Sequence, residues 1–538
     1  MIIDLNEWAG STIGADVAVV GTGATGLALA MSFMEKGLSV AMLETGGYER
    51  TEEAEHLSRA EVQGSLPVWI QTRSRFLGGS TNCWGGNNSP LDPVDFERDW
   101  VPDATWPIGL DDLAPFAEQA HDLLRLGPTD FSLDFWKKRL KRVRDGLLFE
   151  HSDVVTTKLI QKTNVGHVGE LMQRDLESSA TLTVYLNAQV VNLDTRNDGS
   201  IVAGIDVVSL DGTRTARVEA AEYVLAAGPE NARLLLASNR QDPRGIGNEY
   251  DQVGKWWLAH HSALRGWLEP APGLDWEFYD TMPWPVGDRQ VFACLQLTEE
   301  VQRREKLLNS AAILETYKPH TAFNNRARSI AAVKTRLGRH IESLEPQELT
   351  SELALGFAGD TARVLARTAD EQTRRFRKKP VRAFVRNWCE QTPDPDNRVV
   401  LSDETDRFGV PKMRIISNLL PSDRHTLRRS FEIMGEEFEA QGYGRLVSDF
   451  PEGDDWPPGA ISTAHFMGGT RMHVDPQQGV VDEECRVHGV DNLWVAGGSV
   501  FPTAGVSMVT YTAILLAFRA AERIASGASG AGRAPVSA

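Results

Sequence analysis

Residues 21–26 of the chain read GTGATG, three glycines spaced to bring backbone up to an anion. Gly21 permits a tight turn, Gly23 lets the backbone approach a pyrophosphate, and Gly26 allows a helix to lie close on the preceding strand. The amides opening that helix, from Ala24 and Thr25 onward, present a positive dipole end to phosphate. Glu44 closes the next apolar run; its carboxylate can accept hydrogen bonds from ribose hydroxyls and would repel a 2′-phosphate. The chemistry that this group supports is dinucleotide binding. The pattern alone is weak, because glycine turns between strand and helix also occur without ligands.

The neighbouring elements give it weight. Residues 16–20 form a short apolar, β-branched run of the kind found in buried parallel strands. Residues 27–36 are rich in Ala, Leu and Met and close at Gly37, as a helix does. Residues 38–43 predict a second strand, completing a βαβ unit. Residues 60–110 are loop-rich. Residues 181–227 read as consecutive strands with turns at 197–199 and 211–212, ending in a strand and a Gly228-Pro229 turn. From 263 to 455 the texture changes: strands at 291–297 and 311–317, a long polar helical stretch between 325 and 379, strands at 399–401 and 413–416, and a helix at 422–441. The last part returns to a strand at 493–496, the glycines 497 and 498, and a helix from about 509 to 526.

Length and composition narrow the partners. At 538 residues the chain exceeds what one hydrophobic core organises, so two domains are expected. The net charge of −18 argues against nucleic acid. A basic stripe at Arg374, Arg375, Arg377, Lys378 and Lys379 reads as a solvated helix end. The 4 cysteines form no CxxC pair, so no usual zinc motif or dense disulfide framework is present, and no metal is expected. Free thiols suit a reducing compartment. The N-terminus lacks a secretory pattern, no segment is long enough to span a bilayer, and the expected location is cytoplasmic. The small, polar stretch 526–538 reads as a disordered tail.

NAD and FAD share the glycine fingerprint, and the rest of the chain separates them. GTGATG with LETGG spans residues 21–47. RFLGGSTNCWGGNNSPLDPVDFE follows at 75–97, then WPIGLDDLAPF at 106–116 and PDPDNRVVLSDETDRFGVPKMR at 393–414. AHFMGGTRM and GVVDEECRVHGVDNLWVAGGSVFPT lie between 464 and 503. In these ordered motifs the chain resembles the glucose–methanol–choline (GMC) FAD-dependent oxidoreductases, and its WGG segment is nearer their bacterial, pyranose-oxidising branch. The resemblance implies an α/β fold: a discontinuous Rossmann-like FAD-binding domain with an inserted α+β substrate-binding domain, a sheet flanked by helices. The expected boundaries are 1–90, 180–262 and 456–525 for the FAD domain. Segments 91–179 and 263–455 make the substrate domain and its connections.

By position, the resemblance places Gly78, Gly79 and Ser80 on the pyrophosphate and ribityl chain. It places Asn82 and Cys83 near the isoalloxazine, and the backbone of Val190 on adenine. Arg75 and Ala227 join the cofactor set. Gly497, where the family often has Asp, and Gly498 pass beside the pyrophosphate and ribityl chain. Cys83 stands near the point where some relatives carry a His joined to the flavin; a packed thiol and noncovalent FAD are the expectation.

Oxidation of a carbinol by hydride transfer to flavin N5 needs a base for the hydroxyl proton, and imidazole suits that task. Among 12 histidines, His465 opens the segment that matches the family's catalytic motif. His473 and His488 read as structural, and so does the pair His260-His261. The family usually places His or Asn five residues beyond Thr503, a partner at the substrate oxygen. Here that residue is Met508, whose thioether cannot donate a hydrogen bond. Three readings stay open: His465 acts alone, Ser507 or another polar group substitutes, or the scaffold performs non-alcohol chemistry. The helix from Val509 would aim its amides at the flavin N1–C2=O edge, where reduction places negative charge. The expected substrate is a sugar, glycoside or polyol. Oxygen, a quinone or a redox protein would accept the electrons, and the sequence leaves oligomerisation open.

Overall fold

The computed structural model of the chain describes all residues except 69–71, 164, 197, 239, 241, 281–283, 287–288, 317–381, 449, 452–460 and 531–538. The expected turn at 197–199 is described only in part. The polar helical stretch, the basic stripe and most of the expected tail lie outside the described residues.

The opening βαβ unit comprises strand β1 (Thr12–Val20), helix α1 (Ala24–Glu35) and strand β2 (Val40–Leu43). β1 begins four residues earlier than expected and α1 three earlier. Neighbouring strands cover both edges of this β-branched, apolar run and the core shared with α1 covers its faces, so the last four residues of β1 are buried. An eight-stranded sheet forms around it. β1 pairs in parallel with β2 on one side and with Thr215–Leu225 on the other. β2 continues to Leu182–Leu186 and then Ile2–Asp4, all in parallel. Leu493–Val495, from the far end of the chain, pairs in parallel with Tyr223–Leu225. The helix Val509–Gly530 lies against α1, and both contribute to one large core with the strands between them.

A second, nine-stranded sheet contains Leu258–Pro270, flanked by Ala383–Cys389 and Gly444–Val447, then Ser310–Thr316, Arg289–Leu297 and Val155–Lys162. Strand Ile461–Met467 pairs antiparallel with Leu258–Pro270. The second sheet has its own apolar core, with Trp136, Tyr279, Leu314 and Phe438 among its buried members. A small third sheet joins Ala60–Gln63 in parallel to Pro411–Ile416; that first strand falls in the region expected to be loop. The helix Pro421–Ala440 matches the expected 422–441 within a residue. The last helix extends to Gly530, so the first residues of the expected tail are helical.

Among the described residues, no helix is long and apolar enough to cross a membrane. None of the four cysteines is in a disulfide: Cys294, Cys389 and Cys485 are buried, and Cys83 is half-buried.

Candidate active site

The glycine turn sits between the C-terminal end of β1 and α1. A Cβ on Gly26 would lie 2.1 Å from the Gly21 carbonyl oxygen, so only glycine lets helix and turn come this close. A Cβ on Gly23 would meet no atom within 4 Å, because it would point into open space. That space is a cavity of about 860 Å³ lined by Gly21, Gly23, Ala24 and Thr25. Glu44, Arg75, Val190 and Ala227 also line it, as do Gly79, Ser80 and Cys83 from the second glycine segment. At its other end the cavity reaches Gly498, Met508, Val509 and His465.

Five residues expected in the site do not line the cavity. Gly26 supports the turn from behind. Gly78 donates its backbone N–H to Thr22 Oγ1 at 3.2 Å, joining the second glycine segment to the first. Asn82 donates to the Leu77 carbonyl at 3.0 Å and meets His167 Nδ1 at 3.0 Å, holding its own loop in shape. Gly497 has φ +110, ψ −170, a conformation that excludes side chains, so the Asp common in the family would be strained here. Ser507 is fully buried, and its hydroxyl has no hydrogen-bond partner among the described residues.

The cofactor end carries buried charge that is well partnered. Glu44 accepts from the Thr22 hydroxyl at 2.5 Å, the Thr22 amide at 3.1 Å and the Gly46 amide at 3.3 Å. Burial nevertheless raises its pKa, against those hydrogen bonds. Nearby, Glu230 is gripped by Arg73 and Arg75 at 2.9 Å each and by Arg233 at 3.1 Å. Burial works to raise the Glu230 pKa, but the three guanidinium groups prevail and hold it far below the usual range. Arg75 also donates to Gln189 Oε1 at 3.2 Å. Thr22, Arg73 and Glu230 were not singled out from sequence, since no local pattern brings them together.

The reacting end is assembled from remote segments. Leu258–Pro270 and Ile461–Met467 pair in one register at Ala259↔Phe466 and in another at His261↔Ser462, with an irregularity between. His260 and His465 lie in that irregularity, the kind of bulge that re-aims side chains. Their Nδ1 atoms are 2.8 Å apart, and the rings meet edge to face at 5.0 Å. His260 Nε2 lies 2.9 Å from the Gly505 carbonyl and 3.3 Å from that of Ala504. Burial first, and then mutual repulsion with His260, push the His465 pKa down to about 3; burial also lowers that of His260. His465 is therefore neutral at physiological pH. His488 Nε2 lies 2.8 Å from the His473 carbonyl, His473 Nδ1 accepts the Asp475 amide at 2.9 Å, and neither residue lines the cavity.

Behind this pair, Glu390 Oε1 accepts the amides of Ala504 at 3.1 Å and Gly505 at 3.0 Å. Arg98 clasps the same carboxylate with both terminal nitrogens, one at 2.6 Å. Burial opposes the Glu390 charge, but Arg98 and the amides keep its pKa below the ordinary value. The following turn is held by Trp388, which donates its indole N–H to the Val506 carbonyl at 3.2 Å. Met508 sits in an apolar cluster with Phe292, Ile313 and Trp388, all of which also line the cavity. Lys162 and Arg386 bring positive charge to this end, and Arg386 bonds Glu315 at 2.7 and 3.2 Å.

Parallel central strands whose first glycine turn opens on a cavity also lined by a neutral imidazole have the layout that dinucleotide-binding oxidoreductases use. Residues 393–517 match the family described as GMC oxidoreductase. The large subunit of fructose dehydrogenase from Gluconobacter japonicus is 28% identical over 57% of this chain, a match that spans 48% of that protein. The 6'''-hydroxyparomomycin C oxidase of Streptomyces lividus is 24% identical, over 95% of this chain and 91% of the relative. Among solved structures, pyridoxine 4-oxidase from Mesorbium loti superposes with a TM-score of 0.52 at 15% identity, covering 94% and 98% of the two chains, a likeness of fold. The open space beside Gly23, the capped Glu44 and the cations around Glu230 are groups that could hold FAD.

Proposed function

We propose that this protein oxidises a CH–OH group of a sugar, glycoside or polyol, with His465 as the base. The observation that carries this reading is a single cavity with the dinucleotide turn at one end and His465 at the other. Bound FAD supplies the hydride acceptor, its N5. The chain supplies the rest. His465 takes the hydroxyl proton, and its neutrality at working pH suits it to do so. Trp388 and Phe292 offer aromatic faces for the C–H surface of a ring. The N-terminus of the last helix, at Val509, carries a positive dipole end toward the cavity. We also propose that the chain divides into an FAD-binding part and an inserted substrate-binding part. The names of the relatives, a fructose dehydrogenase and an aminoglycoside oxidase, support a carbohydrate-like substrate.

Anaerobic bleaching of the bound flavin across a panel of sugars and polyols tests the reading. At least one compound should bleach the native protein, and His465→Ala should keep its yellow colour yet bleach about 10²–10⁴-fold more slowly. Native-rate bleaching in that variant would remove His465 from the mechanism. Repeating the screen with oxygen present separates an oxidase from a dehydrogenase.

A further inference from the structure

His260 was expected to be a packing residue, yet it occupies the one position that can dictate which nitrogen of His465 carries a proton. A carbonyl oxygen only accepts hydrogen bonds, so the 2.9 Å contact with Gly505 requires a proton on His260 Nε2. Neutral His260 then has a bare Nδ1. The facing His465 Nδ1, 2.8 Å away, must be the donor. Neutral His465 therefore carries its hydrogen on Nδ1 and leaves Nε2 as a lone pair. No described residue hydrogen-bonds to that nitrogen, and the side chain borders the cavity. The carbonyl that starts this chain of donors is itself fixed, because Glu390, clasped by Arg98, accepts the Ala504 and Gly505 amides.

We infer that His260 is a positioning residue that sets the tautomer and orientation of His465, with the Arg98–Glu390 pair as the anchor of the turn that orients His260. This rests on the proposed role of His465. When the substrate O–H bond breaks, its electron pair stays on oxygen and the proton goes to His465 Nε2. The imidazolium so formed keeps its Nδ1 proton directed at the neutral His260. Without His260, His465 can rotate or adopt the opposite tautomer, which presents an N–H where a lone pair is needed. The logic parallels the carboxylate that orients the histidine of a hydrolase triad, with a second imidazole doing the orienting.

The test uses flavin-loaded protein and two substitutions. His260→Phe keeps a ring but removes both nitrogens. His260→Asn keeps an acceptor for His465 and a donor for the Gly505 carbonyl. His260→Phe should lower kcat roughly ten- to a hundredfold with KM and flavin content near native, as loss of an orienting partner does. His260→Asn should recover most of the rate. Independently of turnover, ¹⁵N spectra of histidine-labelled protein should show His465 with its hydrogen on Nδ1 in the native enzyme, and a mixed or reversed form in His260→Phe. A native rate in His260→Phe, no recovery with Asn, or a native His465 protonated at Nε2 would each overturn the inference. If His465→Ala turns over normally, the proposed base fails instead, while the ¹⁵N result still decides the tautomer.

Discussion

The two ends of the cavity are built on opposite plans. At the cofactor end, one contiguous stretch supplies the turn, the helix N-terminus and, about twenty residues on, the acid at the next strand end. Around Glu44 the partners are mostly backbone and Thr22 caps it across only 22 residues, although the Arg73–Glu230 pair at the same end spans 157. At the reacting end, every link is remote: His260 to His465 spans 205 residues, Gly505 to His260 245, and Glu390 to Arg98 292. The first end can be specified by a short motif. The second exists only when five separate segments have docked, so its geometry depends on the stability of the whole assembly.

Substitutions can break one end and spare the other. Glu390→Gln should have the largest effect: it leaves the fully buried Arg98 guanidinium without its counter-charge, which costs roughly 3–5 kcal/mol. Chemical denaturation should show that loss, and the surviving folded protein should still hold flavin but oxidise substrate poorly. Equal loss of flavin and turnover would mean the two ends are not separable. Gly23→Leu makes the converse break. Its side chain would enter the space beside the turn, so flavin content should fall by about tenfold or more while the folded structure persists, as read by absorbance and circular dichroism. The smallest effect concerns pH. A base works unprotonated, and burial depresses the His465 pKa from 6.5 to about 3. The acid limb of kcat/KM should therefore lie well below pH 6.5, with little loss between pH 7 and 5; a limb centred at 6.5 would contradict the burial of this imidazole.

This difference also explains what could be read in advance. The β1–α1–β2 unit, the strands from 181 to 227 and the late helices were legible because hydrophobic period and glycine punctuation act over a few residues. Glu44 was legible for the same reason. His465 required a longer motif. His260 lay in plain view beside His261 and was read as packing; its contact with His465 arises from a bulge against a strand two hundred residues away, which no local pattern announces. Strand Ala60–Gln63 escaped notice since its partner, Pro411–Ile416, lies far along the chain and its own exposure is mixed. Ser507 is polar and adjacent to Met508, yet its backbone turns it inward. Sequence adjacency to a site does not specify facing it.

The pairing of Leu493–Val495 with Tyr223–Leu225 has a consequence for synthesis. A ribosome finishes the glycine turn and most of its sheet early, but His465, this seam and the helix Val509–Gly530 emerge more than two hundred residues later. For more than two hundred residues of translation, one side of the Tyr223–Leu225 segment waits without its final neighbour, an opening for wrong partners. A nascent chain can thus hold the glycine turn and its neighbouring strands long before His465 and the Leu493–Val495 seam reach them.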